Sequence, residues 1–332
     1  MGVVRFVKTT QNHSQTEQNM STEARTAFKI KSWAKYNEAL VNRFDVTFWF
    51  TDDILSQWKH ENENQGQGRP FTFSDLAIET LLTMRELFQL PYRGTEGFGR
   101  WVFRVMQIDL AIPGYTALCK RAKKLDIDLS IRKKRGKIDV IVDSTGLKVF
   151  GEGEWKVKKH GWAKHRTWRK LHLMLDAATQ EIVADALTEN SVHDSQPVKP
   201  LLKRTRNKVR RFYGDGAYDP WKVRNALEQH GIEQVIPPRR DAKIKRHGNS
   251  KEPRLERDDA IRNIRKYGRK GWKRRIGYHR RSLAETAMFR LKTICGDRLK
   301  NRLFENQKTE SRIRCKILNH FTNLGLPEYF SM

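Results

Sequence analysis

The pattern of apolar and polar positions first becomes helical after a loop rich in Gly, Gln and Asn. Apolar side chains recur at helical spacing up to about Leu90, and Thr72 or Ser74 can cap this helix. Further helices are predicted over 95–106 and 115–124, and the last of them has a basic end. Three short helices with tight links suggest a helix-turn-helix-like module. The alternative is an ordinary helical subdomain with a solvated basic face.

The pattern then changes to short apolar runs that predict β-strands. The predicted strands span 137–146, 169–177, 181–187, 209–213 and 232–236. Short helices are predicted over 194–203 and 218–230, and a final helix runs from about 309 to 324. This order of strands and helices indicates an α/β fold with a mixed sheet of the ribonuclease H type.

One predicted helix, over 278–292, combines an apolar face with a polar face of unusual composition. At about 100° per residue, four polar side chains fall within an arc of roughly 60°, and they are Tyr278, Arg281, Glu285 and Lys292. The apolar side chains on the opposite face are Leu283, Ala284, Ala287, Leu291 and Ile294. The apolar face can therefore pack on a core while a phenol, a guanidinium, a carboxylate and an ammonium are presented together.

The charge of the chain narrows the class of partner. Among 332 residues, Lys and Arg number 66 against 38 Asp and Glu, which gives a formal net charge of +28. Such a balance indicates a polyanionic partner, with nucleic acid favoured over an anionic membrane. No apolar run approaches the length of about 18 residues that a membrane span needs. The three cysteines include no CxxC pair, which fits a reducing compartment and argues against a zinc or disulfide framework.

Two aspartates come directly after apolar strands and are followed by small residues. Asp143 ends V-I-V-D in V-I-V-D-S-T-G, and Asp215 ends R-F-Y-G-D in R-F-Y-G-D-G-A-Y. Ligands of α/β sheets bind at the carboxyl edge of the strands, and small residues there allow a metal and a phosphate to approach the backbone. Glu285 is the third candidate, because the apolar face of its helix can dock on the sheet. Each acid also has an ordinary interpretation, as a turn or cap residue or, for Glu285, as a partner of Arg281.

Three carboxylates of this kind can hold two divalent cations about 3.5–4 Å apart. One cation would activate water or a DNA 3′-hydroxyl, and the other would stabilise the leaving 3′-oxygen. Carboxylate, water and phosphate ligands suit Mg²⁺ or Mn²⁺. Without metal the carboxylates would repel one another and raise their own pKa values, so a metal-dependent site is predicted.

The combination of these residues resembles bacterial insertion-sequence transposases of the DDE class. The resemblance covers roughly residues 30–325, and the contexts of Asp143 and Asp215 match those of the first two acids. It is closest to the subgroup of the insertion sequence family five type, which carries a Tyr-x2-Arg-x3-Glu-x6-Lys signature around the third acid. The matching positions are Tyr278, Arg281, Glu285 and Lys292, without a gap.

The resemblance implies an activity and a set of partners. It implies cleavage at terminal inverted repeats, followed by joining of 3′ ends to target DNA by a ribonuclease H-like domain. Tyr278, Arg281 and Lys292 would contact DNA phosphates or a displaced base near the cleaved end. The implied partner is double-stranded DNA rather than a membrane. The implied assembly is a homo-oligomer, at least a dimer, in the bacterial cytoplasm and associated with the nucleoid.

We therefore expect three parts along the chain. They are a disordered tail at 1–27, a helical DNA-binding domain at 28–131 and a DDE catalytic domain at 132–326 with a very basic insertion at about 238–276. Trp155, Trp162 and Trp168, interleaved with lysines and arginines, predict either a DNA-facing flap or an exposed loop.

Smaller predictions concern residues near the strands. Asp194 is predicted to cap the helix after the third strand, and His193 is a candidate neighbour of the acidic site. Asp139 lies inside the first strand and is interpreted as structural. Two other functions remain open at this point, a noncatalytic DNA-binding protein or decayed transposase, and an RNA-directed nuclease on the same sheet.

Overall fold

A computed structural model describes residues 28–61, 70–129, 136–149, 168–247, 251 and 253–331. Its N-terminal part begins with a short strand and continues as helices. These elements are β1 (Phe28–Ile30), α1 (Trp33–Asn42), α2 (Asp52–Ser56), α3 (Asp75–Leu87), α4 (Tyr92–Val105) and α5 (Tyr115–Ala122). The predicted tail at 1–27, most of the basic link and the Trp155 and Trp162 segment lie outside the described residues.

Local sequence explains where the central helices of this part begin and end. The Ser74 hydroxyl accepts a hydrogen bond from the Ala77 N–H at 3.1 Å, which confirms the predicted cap of α3. The helix ends at Leu87 rather than Leu90, because Gln89 adopts a φ of 55°. The next helix begins at Tyr92, earlier than predicted, with Pro91 as its N-cap residue.

The rest of the described chain is a mixed α/β unit. Its strands are β2 (Lys137–Val149), β3 (Trp168–Asp176), β4 (Ile182–Glu189), β5 (Lys208–Tyr213), β6 (Glu233–Val235) and β7 (Arg298–Leu299), and β8 (Tyr329–Ser331) pairs with β1. Its helices are α6 (Val198–Arg204), α7 (Trp221–Gln229), α8 (Glu256–Arg275), α9 (Ser282–Cys295) and α10 (Phe304–Leu324).

The sheet has the strand order that the sequence predicts. The order is β4-β3-β2-β5-β6, and β7 pairs with the far end of β2. Strands β2, β3 and β4 are antiparallel neighbours, whereas β5 and β6 run parallel to β2 and to each other. Three antiparallel strands followed by two parallel ones form the ribonuclease H-type sheet, so the predicted fold class is confirmed.

Alternating side chains of β2 build a core on each face of this sheet. Val140 and Val142 face a cluster that includes side chains of α6 and α7. Ile141 and Leu147 face the opposite cluster, to which α9 and α10 contribute. Both faces of the sheet are therefore covered, and the strand ends are the places where polar side chains reach solvent.

The last helix, α10, belongs to two cores at once. Ile313 and Ile317 pack in the cluster of the N-terminal helices, whereas Leu318 packs in the cluster beneath the sheet. A buried ion-pair network also joins α10 to α3, because the Arg314 guanidinium donates to Glu86 Oε2 at 2.8 Å and Glu310 Oε1 at 2.6 Å. The N-terminal helices and the sheet are therefore packed against one shared helix.

Several predicted boundaries differ from the structure for local reasons. The helix predicted over 194–203 is α6, which begins at Val198 behind Pro197. Asp194 does not cap it, so that prediction was wrong. Within the basic insertion, Gly268 has a φ of 71° and kinks α8 into two halves. Among the described residues, no helix is both long enough and apolar enough to cross a membrane.

Candidate active site

Asp143 lies in the middle strand of the sheet, on the face covered by α9. Its strand neighbours on that face, Ile141 and Leu147, are fully buried, and the Asp143 carboxylate is partly buried. One carboxylate oxygen, Oδ1, accepts a hydrogen bond from the Ser144 N–H at 2.8 Å. The other, Oδ2, accepts from Arg281 Nη1 at 2.7 Å. Both oxygens of this acid therefore have donors within the protein.

Asp215 occupies the equivalent position beyond the neighbouring parallel strand. Ile141 pairs with Tyr213, so Asp143 and Asp215 each follow this pair by two residues. Asp215 caps a 3₁₀ turn, Gly216–Tyr218, by accepting a hydrogen bond from the Ala217 N–H at 2.8 Å. The sheet thus brings the first two predicted acids to one edge.

Glycine is required immediately before Asp215 because two aromatic rings pass close to the backbone there. A Cβ atom on Gly214 would lie 2.9 Å from Tyr218 Cδ2 and 3.0 Å from the Phe212 ring. These rings pack edge to face with centroids 5.9 Å apart. The strand end and the acid are therefore fixed by aromatic packing rather than by a flexible turn.

The predicted helix over 278–292 divides into two elements. A 3₁₀ turn, Tyr278–Arg281, follows Gly277, whose φ is 66°, and α9 begins at Ser282. The apolar side of α9 packs as predicted, with Ala284, Ala287 and Leu291 buried in the sheet cluster. Its opposite side carries Glu285, which is exposed to solvent.

Arg281 connects the first and third acids directly. Its guanidinium donates to Asp143 Oδ2 and, from Nη2, to Glu285 Oε1. The ordinary i,i+4 pairing considered for Glu285 therefore exists, but the same guanidinium also reaches an acid 138 residues earlier. Two carboxylates thus share one cation.

The electrostatics of the cluster follow from partial burial of like charges. Burial raises the pKa of Asp143, and the negative charges of Asp215 and Glu285 raise it further, against the Ser144 N–H and Arg281. Burial opposes the charge on Arg281, but the surrounding acids, Asp143 foremost, raise its pKa above the usual value. The site therefore favours a cation among its carboxylates.

Tyr278 and Lys292 lie on either side of Glu285 along the chain. Tyr278 is half-buried beside Trp272, and the Lys273 ammonium lies 4.8 Å from the centre of the Tyr278 ring. Burial raises the pKa of Tyr278, which keeps the phenol protonated. Lys292 follows Glu285 by seven residues, about 10 Å along the helix.

Several polar residues near the acids have no counterpart among the main sequence predictions. Asp194 lies 3.3 Å from the Lys170 ammonium, and its Oδ1 is 4.0 Å from Nδ1 of His172. Burial lowers the pKa of His172 to about 4. His193, the predicted neighbour of the site, instead contacts Ser195 Oγ through Nδ1 at 2.8 Å. Only the fold could bring Lys170 and Asp194 together.

Asp139 has the structural role that its place in the strand suggests. Its two carboxylate oxygens accept from Nε and Nη2 of Arg210, both at 2.7 Å, and Arg280 lies 3.8 Å away. The Arg210 hydrogen bonds hold the pKa of Asp139 below its usual value, although burial opposes them. This acid is therefore committed to an ion pair.

The donor set suits a hard divalent cation, although the side chains are not gathered around one position. Within the described ranges, no three His, Cys, Asp or Glu side chains lie close enough together to hold a metal ion. The Arg281 guanidinium stands between Asp143 and Glu285 and takes the place of a cation there. The carboxylate oxygens are the ligands that Mg²⁺ and Mn²⁺ prefer, so the residues fit such ions once the arginine moves.

A basic surface leads into this site along the chain. Between Asp259 and Glu285 the sequence contains no Asp or Glu. The exposed cationic side chains of this stretch include Arg265, Lys266, Lys270, Arg274, Arg275 and Arg280. The second half of α8 is therefore a positively charged surface next to the acids.

Known protein families match most of this chain. Two family models, each described as a transposase DDE domain, match residues 41–152 and residues 134–320. The second match spans more than half of the chain and includes Asp143, Asp215 and Glu285.

Solved structures of two transposases are similar to this chain at low identity. One is the piggyBac transposase in a synaptic complex with hairpin DNA, with 12% identity and a TM-score of 0.40 over 85% of this chain and 74% of that chain. The other is the Drosophila P element transposase in a strand transfer complex, with 12% identity and a TM-score of 0.31 over 62% of this chain and 47% of that chain. Both scores are below 0.5, so the assignment depends on the family matches. The chain belongs to the transposase DDE domain family and is a transposase, an enzyme that cleaves DNA and transfers its strands.

Proposed function

We propose that this transposase cuts DNA at the terminal inverted repeats of an insertion sequence and joins the 3′ ends to target DNA. Asp143, Asp215 and Glu285 are the catalytic carboxylates of this proposal. The observation that carries it is the single guanidinium shared by Asp143 and Glu285, beside the matching position of Asp215 on the parallel strand. Three acids distant in sequence thereby surround one cation-binding location.

DDE transposases generally use divalent metal ions, and we propose that two Mg²⁺ or Mn²⁺ ions bind these three acids. When bound, such ions supply Lewis acidity to the oxygens of an in-line phosphoryl transfer. The acids hold the ions, and the partial burial of Asp143 excludes water from one side of the site. Removal of divalent cations should abolish cleavage because no other cation in the site can be replaced by substrate.

The remaining signature residues are proposed DNA ligands. Arg281 can bind a phosphate through two N–H groups once it leaves the acids, and Lys292 supplies a point charge. Tyr278 can stack on a base displaced near the cleaved end. This arrangement corresponds to the Tyr-Arg-Glu-Lys signature of the insertion sequence family five type.

The N-terminal helices at 28–131 are proposed to bind duplex DNA, with the catalytic domain at 132–326. In α4 the exposed side chains include Arg93, Arg100, Trp101 and Arg104, whereas most of α3 is buried. At the basic end of α5, Arg121 is tied to Asp75 and the Phe73 carbonyl, so it acts within the fold. The exposed face of α4 is therefore the better candidate for DNA contact.

Joining two transposon ends requires at least two active sites, so we propose a homo-oligomer, at least a dimer, in the DNA complex. A bacterial cytoplasmic protein associated with the nucleoid is proposed from the same reasoning.

The test is cleavage of supercoiled plasmid carrying the inverted repeats that flank this reading frame. With Mg²⁺, wild type should cut at the repeat ends, and Asp143→Ala, Asp215→Ala and Glu285→Ala should each lose cleavage but keep DNA binding. Glu305→Ala is the matched control, because Glu305 is an exposed acid paired with Lys308. Near wild-type cutting by any one of the three variants would refute its assignment. Binding that ignores Mg²⁺, with no cutting by wild type, would favour a noncatalytic or decayed protein.

A further inference from the structure

The Tyr218 hydroxyl is a buried donor without a hydrogen-bond partner among the described residues. Only 1% of the residue is exposed, and its oxygen is fully enclosed. Leaving such a group unpaired costs about 1–3 kcal/mol, and folded proteins rarely retain one without a reason. The position of this hydroxyl therefore needs an explanation.

Tyr218 is held rigidly beside the acids. It ends the 3₁₀ turn that Asp215 caps, and its ring passes Gly214 and packs edge to face on Phe212. Burial raises the pKa of Tyr218 well above 10, and the negative charges of Asp143, Asp194 and Asp215 raise it further. Among these three carboxylates, Asp143 has the largest effect. The group is thus a neutral donor close to Asp143.

Asp143 has its oxygens satisfied only while Arg281 stays in place. Oδ1 has the Ser144 N–H, and Oδ2 has the Arg281 guanidinium. In the proposed function, Arg281 moves to a DNA phosphate. The partly buried Oδ2 then loses its donor and needs another one, because an unpaired buried charge is costly.

We propose that Asp143 exchanges partners, from Arg281 in the DNA-free protein to the Tyr218 hydroxyl once DNA has drawn Arg281 away. This inference rests on the proposed function of Arg281 and Asp143. Tyr218 is a positioning residue that acts through Asp143, since its enclosed hydroxyl is not placed to touch substrate. The hydrogen bond orients the carboxylate for divalent cations in the manner of an outer-shell partner.

The exchange couples two binding events. Without DNA, the guanidinium competes with divalent cations for Asp143 and Glu285, so metal binding is weak. With DNA, the acids are released and Asp143 is fixed by Tyr218. Because coupling is reciprocal, divalent cations should tighten DNA-end binding by the same factor that DNA tightens metal binding.

The test uses Tyr218→Phe, which removes the hydroxyl and keeps the ring. Tyr213→Phe is the matched control, because Tyr213 is equally buried and its hydroxyl hydrogen-bonds with the Arg211 side chain. Mn²⁺ binding is titrated by electron paramagnetic resonance, with and without a cleaved-end DNA duplex, and unfolding is followed in DNA-free protein.

In the DNA complex, Tyr218→Phe should weaken Mn²⁺ binding about 10- to 100-fold, whereas Tyr213→Phe should leave it unchanged. In DNA-free protein, Tyr218→Phe should unfold at or above the wild-type denaturant midpoint, because no partner is lost. Arg281→Ala should bind Mn²⁺ more tightly than wild type without DNA.

Two results would overturn the exchange. One is wild-type Mn²⁺ affinity in the DNA complex of Tyr218→Phe, and the other is unchanged DNA-free Mn²⁺ affinity in Arg281→Ala. Failure of the proposed function would look different, because wild-type protein itself would then not cut the repeat ends.

Discussion

Replacing Arg314 with methionine should destabilise the protein strongly. The guanidinium is fully buried and is shared by Glu86 of α3 and Glu310 of α10, with a further hydrogen bond to the Arg298 carbonyl. Methionine fills similar space but leaves two buried carboxylates without their common cation. Removing one partner of a buried ion pair costs about 3–5 kcal/mol, so the free energy of unfolding should fall by that amount.

The loss should depend on pH in a defined direction. Burial raises the pKa of Glu86, and Glu310 raises it further, while Arg314 and Arg85 oppose the shift. A carboxyl with a raised folded-state pKa contributes stability below its unfolded pKa, and this contribution is lost as pH rises through the folded value. Without Arg314 the shift is larger, so destabilisation should be greatest near about pH 8 and shrink toward about pH 5.

The assay is urea unfolding followed by circular dichroism, with Lys308→Met as control. Lys308 lies on the same helix in an exposed pair with Glu305, and losing such a pair costs at most about 1 kcal/mol. Adding Glu86→Gln to Arg314→Met should recover part of the loss by removing one buried charge. If Arg314→Met unfolds within about 1 kcal/mol of the control at every pH, the buried network is not a main source of stability.

Three further outcomes follow from the site and its surroundings. Asp143→Asn should raise the melting temperature at neutral pH, because burial raises the pKa of Asp143 and its charged form is unfavourable; the gain should vanish in acid, and a lower melting temperature at neutral pH would contradict this. Gly214→Ala should cost about 1–3 kcal/mol in urea unfolding, because its Cβ would lie 2.9 Å from Tyr218 Cδ2; wild-type stability would show that the rings can move. Neutralising three exposed cations of α8 should reduce the slope of log affinity against log salt for duplex DNA by about 0.9 per contact, and an unchanged slope would remove α8 from the DNA path. The three substitutions are Arg265→Gln, Lys266→Gln and Lys270→Gln.

The sheet and the position of two acids could be predicted because their signals are local. Apolar runs that end in an acid followed by small residues predict strand ends, and parallel pairing then brings Asp143 and Asp215 to one edge. The face of α9 that packs on the sheet was also predictable, because helical periodicity separates Ala284 and Leu291 from Glu285.

Features that depend on distant contacts could not be predicted in this way. The Arg281 bridge joins residues 138 positions apart, so the sequence shows Arg281 beside Glu285 but not beside Asp143. The same reason explains the wrong prediction for Asp194, which pairs with Lys170 of a neighbouring strand instead of capping a helix. Likewise, G-D-G-A-Y shows a tyrosine after the acid but not that its hydroxyl is enclosed without a partner.

The place of α10 in two cores has a consequence for how the chain is made. Domains generally fold during synthesis as they emerge, beginning with the N-terminal one. Here Glu79 and Glu86 of α3 have their ion-pair partners, Lys316 and Arg314, on a helix that is translated near the end. The nascent N-terminal helices therefore wait on the ribosome with exposed apolar surface, in need of chaperones. A message broken before codon 304 yields a protein for degradation rather than a free DNA-binding fragment that could compete with the intact enzyme.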